Sequence, residues 1–153
     1  FVTETLPKRI ELAKKLGAVV FNPEEVDAGR EIAKMTDRRR ADLTMECAGP
    51  PGAMLSTLAL SGKGRTIVEV GQMTEPCSFP FATLWMQEKT IITSQGYADE
   101  FPAAISLMAR GAVNTDIMTT ARVSLNDAIE KGFKELTGER RLEHCKILVS
   151  PEL

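Results

Sequence analysis

Glu4 is the first residue whose type and place could do chemistry. It closes the apolar run Phe1-Val2-Thr3 and stands just before Pro7 opens a helical pattern. At the carboxyl end of a second parallel strand, a dinucleotide fold uses an acid to bind the adenosine ribose hydroxyls. The same charge repels a 2′-phosphate, since two unit charges about 4 Å apart interact by about 4 kcal/mol at an effective dielectric near 20. Such a site selects NAD over NADP. An acid ahead of a helix also complements the positive end of the helix dipole, and on this residue alone both readings stand.

Ligands of open α/β sheets bind beyond the carboxyl ends of the strands. Those ends here carry Glu4, then Cys47-Ala48-Gly49, then Val70-Gly71, then Ser94-Gln95-Gly96. Small residues there let a flat ligand approach the backbone, although spacing alone equally fits plain turns.

Other chemistries find little support. There is a single histidine, His144, so no pair of histidines stands at metal-ligand spacing. It reads as an ordinary loop or strand-edge residue, with no G-x-S-x-G elbow to serve. Cys47, Cys77 and Cys145 are odd in number and far apart, which is no disulfide framework. A reducing compartment, the cytoplasm, is therefore expected. Gly62-Lys63-Gly64-Arg65 lacks the spacing of a phosphate loop and reads as a turn. The basic run Arg38-Arg39-Arg40 reads as a solvated helix end rather than a phosphate patch.

Composition narrows the class further. With 153 residues the chain can bury one core, and a formal charge of -2 lacks the basic excess of a nucleic-acid binder. No apolar run approaches the roughly 20 residues of a membrane span, so neither nucleic acid nor membrane is an expected partner. The start at Phe1, inside a strand pattern, reads as a truncation.

The elements that would position these residues alternate. Strands are expected at Phe1–Thr3, Ala18–Phe21, Leu43–Cys47, Thr66–Val70, Thr90–Ser94, Ala121–Ser124 and Lys146–Val149. Helices are expected at Pro7–Leu16, Pro23–Met35, Pro51–Leu60, Phe81–Gln87, Phe101–Arg110 and Leu125–Leu136. This order implies an α/β, doubly wound parallel sheet, with a boundary near 111–116.

The segment Thr5-Leu6-Pro7-Lys8-Arg9-Ile10-Glu11-Leu12-Ala13-Lys14-Lys15-Leu16-Gly17-Ala18 resembles the second strand-to-helix segment of zinc-type medium-chain dehydrogenases. Asp42, Glu46-Cys47-Ala48-Gly49 and Gly64-Arg65-Thr66-Ile67-Val68-Glu69-Val70-Gly71 continue the same family order. Gly96-Tyr97, the stretch from Phe101 to Met108, and Ala128-Ile129-Glu130-Lys131-Gly132-Phe133 resemble the 2,3-butanediol, sorbitol and threonine dehydrogenase branch.

The resemblance implies roles. Glu4 would bind the adenosine ribose and Arg9 would lie along the adenine. Cys47, Ala48 and Gly49 would line the adenosine pocket. Val70, Gly71, Ser94 and Gln95 would face the nicotinamide carboxamide, and Lys146 the pyrophosphate. It also implies a Rossmann-like sheet lacking its first strand over 1–112, with 113–153 belonging to a catalytic domain. In the full-length parent a catalytic zinc and NAD would act on a small alcohol or ketone, in a dimer or tetramer paired at Thr90 to Ser94.

The chain departs from the family pattern in lacking the G-x-G-x-x-G turn expected about 20 residues before the acid, the catalytic zinc ligands and the four-cysteine structural site. By itself it is expected to be inactive, and to fold poorly because the absent strand is central. Two alternatives stay open: a fragment of a zinc-independent NAD(P)H reductase of the same superfamily, and a non-catalytic nucleotide-binding remnant.

Overall fold

The computed structural model describes residues 1–152. The chain packs as two compact units: Phe1–Glu25 with the stretch from Tyr97 on, and Val26–Gly96. All of the sheets are parallel, with helices in the connections. This is the α/β, Rossmann-like class expected.

In the first unit, strand β1 (Val2–Thr3) pairs with β2 (Val20–Phe21), joined by helix α1 (Pro7–Lys15). Proline opens α1, where the missing N–H costs nothing, and Lys14 and Lys15 end it against the negative dipole end. Gly17 then takes φ +85°, a conformation that stops the helix and favours glycine. Helix α5 (Glu100–Ala109) buries none of its residues. Strand β6 (Thr119–Ser124) pairs with β7 (Lys146–Ser150).

Between β6 and β7 the chain was expected to form one helix over Leu125–Leu136. Instead a π-helical turn, Ala128–Phe133, leads into a four-residue helix, α6 (Lys134–Thr137). Gly132 in that turn is buried against Val123 of β6, with Val123 Cγ2 at 3.9 Å from where a Cβ would be.

The second unit holds helix α2 (Ala28–Met35), β3 (Ala41–Glu46), α3 (Pro51–Leu60), β4 (Ser61–Glu69), α4 (Phe81–Met86) and β5 (Thr90–Thr93). The strand order is β3-β4-β5. Helix α2 begins five residues later than its apolar pattern suggests, because Asp27 caps it: Arg30 N–H donates to Asp27 Oδ1 at 2.9 Å. The Gly62–Arg65 turn is instead an irregular stretch within β4, where the register shifts between the Ala41–Ser61 and Leu43–Thr66 pairs.

The core of this unit is Met54 and Leu58 of α3 packed on Ile67 of β4, with Ile91, Leu84, Phe79 and Met73 around them. Ile67 is fully buried. Burial of side chains this size is worth about 1.5–3 kcal/mol each, which holds α3 on the sheet and fixes the carboxyl ends of β3 and β4. Lys89 anchors the opposite end of β4: its ammonium donates to Ser61 O and Oγ at 2.7 Å and to Gly62 O at 2.9 Å. No helix among the described residues is long and apolar enough to cross a membrane.

Candidate functional site

The carboxyl ends of β3, β4 and β5 are brought into register by direct pairing. Glu46 stands opposite Glu69, and Glu69 opposite Thr93. The chain leaving β3 is held by one side chain. Glu46, only 3% exposed, accepts from Ala48 N–H at 2.7 Å and from Gly49 N–H at 3.0 and 3.1 Å through its two oxygens. Its own carbonyl accepts from Val70 N–H and Gly71 N–H, at 2.8 and 2.9 Å. Ser94 N–H donates to Glu69 O at 2.9 Å. Cys47, Ala48, Gly49, Val70, Gly71 and Ser94 therefore lie along one continuous edge.

Two glycines on this edge have physical reasons. Gly49 adopts φ +94°, and a Cβ there would meet Gln72 O at 2.6 Å. At Gly71 a Cβ would meet Gly49 N at 2.5 Å. Gln95 follows Ser94 in an exposed loop.

Electrostatics at the edge are dominated by the paired acids. Burial, then the charge of Glu46, pushes the Glu69 carboxyl above its ordinary range. Both Glu69 carboxylate oxygens are enclosed and lack a hydrogen-bond partner among the described residues. Cys47 is exposed as a residue, yet partial desolvation of its thiol, followed by the charges of Glu46 and Glu69, raises it too. A thiol held in that form is a poor nucleophile at neutral pH.

Glu4, Arg9 and Lys146 belong to the other unit. Glu4 directly follows β1. Its Oε1 accepts from Thr5 N–H at 2.8 Å and Leu6 N–H at 3.0 Å, just ahead of α1. Oε2 faces Arg9 Nη1 at 3.9 Å. Oε1 is thus spent on the local turn, while Oε2 accepts no hydrogen bond among the described residues. Lys146 opens β7 with an exposed side chain, and its carbonyl accepts from Thr120 Oγ1 at 3.0 Å.

The family model described as zinc-binding dehydrogenase matches residues 1–110. This chain belongs to the zinc-binding dehydrogenase family. Sorbitol dehydrogenase from Bacillus subtilis is 34% identical over 98% of the chain and 42% of its own length. The (R,R)-butanediol dehydrogenase of the same organism is 31% identical over 99% of the chain and 43% of its length. The crystal structure of 2R,3R-butanediol dehydrogenase from Bacillus subtilis superposes with a TM-score of 0.88 at 31% identity, over 97% of this chain and 42% of that one. The chain thus spans about two fifths of the length of these relatives.

Within this dehydrogenase fold, two residues that sequence reasoning passed over matter locally. Glu46 is the clamp of the β3 end, and Glu69 is its partly enclosed neighbour. Their signal was present as two acids at the last positions of β3 and β4, each following an apolar residue. His144 proves structured as well as loop-borne. Only 9% exposed, it sits with Nδ1 at 3.2 Å from Thr120 Oγ1 and Nε2 at 3.3 Å from Glu135 Oε2.

Proposed function

We propose that this chain is the cofactor-binding portion of an NAD-dependent dehydrogenase that moves hydride between a secondary alcohol or polyol and NAD. In this reading residues 1–112 form the nucleotide-binding part and 113–153 rejoin the catalytic domain. Membership of the zinc-binding dehydrogenases supports the class of reaction. The names of the relatives, a sorbitol and a butanediol dehydrogenase, support the substrate class.

The observation that carries the choice of cofactor is the Glu4 carboxylate. It stands at the carboxyl end of a parallel strand with one oxygen pinned by two backbone N–H groups. The oriented second oxygen can accept from a ribose diol and repels a phosphate in its place. Arg9 would sit beside the adenine, Cys47, Ala48 and Gly49 would bound the adenosine, and Lys146 would meet the pyrophosphate. Val70, Gly71, Ser94 and Gln95 would present backbone groups to the carboxamide. When bound, NAD supplies the hydride acceptor. The residues of this chain bind and orient it.

Zinc does not fit these residues. Among the described residues no three His, Cys, Asp or Glu side chains converge on a metal position. Zinc in the parent would rest on other residues. The whole enzyme would act on a small alcohol or ketone in the cytoplasm, as a homo-oligomer.

The deciding experiment is isothermal titration of NADH and NADPH against the full-length parent and its Glu4→Ala variant. Loss of NADH affinity with relaxed rejection of NADPH is expected. Unchanged affinity for both removes Glu4 from the site.

A further inference from the structure

The basic run read as a solvated helix end forms one wall of a cavity. Arg30, Arg38 and Arg40, with Asp27, Gly29, Ala33 and Ala59, line a half-open depression of about 400 Å³. That lies within the range of small-molecule pockets, about 300–1,000 Å³, and is roomier than a single phosphate needs. It lies wholly within the Val26–Gly96 unit. Its arginines flank the amino-terminal ends of α2 and β3, away from the carboxyl-end residues Cys47 to Gly49 and Val70 to Gly71.

Three features set this cavity apart from an ordinary charged surface. None of its three guanidinium groups has a carboxylate within ion-pair distance among the described residues. The one acid in the wall, Asp27, has Oδ1 engaged as the cap of α2, accepting from Arg30 N–H at 2.9 Å. Arg40 is anchored rather than free: its Nη1 donates to Ala59 O at 2.5 Å, and its N–H donates to Thr36 Oγ1 at 2.8 Å.

The backbone under this wall is also unusual. Asp37, Arg38 and Arg40 all adopt left-handed conformations, with φ of 50°, 62° and 61°. Such positions favour glycine, so side chains there are held against local preference. The positive potential is felt nearby, since burial and then the charge of Arg40 lower the pKa of Lys89. Three like charges around one concavity, one of them anchored, repel each other and concentrate anions, and a guanidinium fork matches phosphate oxygens in pairs.

We propose that the Arg30–Arg38–Arg40 cavity binds a di- or triphosphate group, either free or carried by a nucleotide. The site is separate from the cofactor reading above and does not depend on it.

Pyrophosphate and ADP are each titrated into the purified full-length protein at constant ionic strength with NADH in excess, followed by calorimetry and 31P NMR. Saturable binding is expected, weakened at least tenfold in Arg38→Gly/Arg40→Gly and in Arg30→Gln. The Arg30 guanidinium makes no hydrogen bond or ion pair to the fold among the described residues, so Arg30→Gln should melt at the wild-type temperature and its lost binding is not lost folding. Binding of both probes indicates a nucleotide-borne phosphate, and binding of pyrophosphate alone a free anion. Absence of saturation under excess NADH, or variants that bind as tightly as wild type, overturns the proposal.

Discussion

A methyl group added at Gly71 would lie 2.5 Å from Glu46 Oε2, so the β4 end and the β3 clamp share one space. Glu46 can turn its carboxylate into the chain after β3 only because position 71 has no side chain. Gly71→Ala is expected to displace Glu46 from Ala48 and Gly49, at a cost of about 1–3 kcal/mol from overpacking. Chemical denaturation of the variant measures this, and an unchanged midpoint would contradict the geometry.

Glu69 should report its environment through pH. Its carboxyl is held above the ordinary range, first by burial and then by Glu46. A folded-state acid that keeps its proton more tightly than the unfolded chain favours folding at low pH. That contribution is lost as pH rises from the ordinary carboxylate value through the raised one. Glu69→Gln ends the unpartnered charge. It should stabilise the protein at neutral pH, read as a higher denaturation midpoint than wild type, because the charge that burial and Glu46 disfavour is gone. The gap should close below the ordinary carboxylate range. Parallel stability curves across pH would rule this out.

Thr120 is the joint of the β6–β7 pair. Its hydroxyl donates to Lys146 O at 3.0 Å, accepts from Cys145 N–H at 3.2 Å and meets the His144 ring. Thr120→Val keeps the shape and removes all three contacts. Hydrogen exchange at the Cys145 amide should accelerate, with a stability loss of about 1–3 kcal/mol. Protection equal to wild type would show the joint to be unimportant.

Lys89 offers a test of the other end of β4. Lys89→Met strands the three oxygens of Ser61 and Gly62 that its ammonium satisfies. A loss of about 1–3 kcal/mol is expected in thermal or denaturant melts.

For Glu4, hydrogen bonds to a charged acceptor are worth about 1.5–3 kcal/mol, so Glu4→Ala should weaken NADH about tenfold to a hundredfold. NADPH should be weakened less or bind better. Glu4→Ala also loosens the turn before α1, where Thr5 and Leu6 lose their acceptor. Glu4→Gln, which keeps an acceptor oxygen, separates the two effects.

The alternation of strands and helices, the parallel sheets and the order of strand-end residues were legible in the sequence, because hydrophobic period and turn chemistry are local properties. Boundaries set by caps were less so. Asp27 moved the start of α2 because its side chain, not the apolar pattern, satisfies the first turn. The register shift in β4 and the π-helical turn at Ala128–Phe133 depend on neighbouring strands and were not readable in advance.

The sequence by itself determined the class of fold, the family resemblance and the small residues at the strand ends. Only the tertiary structure decided that Glu46 closes on Gly49, that Glu69 is enclosed without a partner, and that three arginines wall one cavity. The reason is physical. A residue's conformation is chosen by its neighbours in sequence, but burial and unpaired charge are set by residues brought near from elsewhere in the chain.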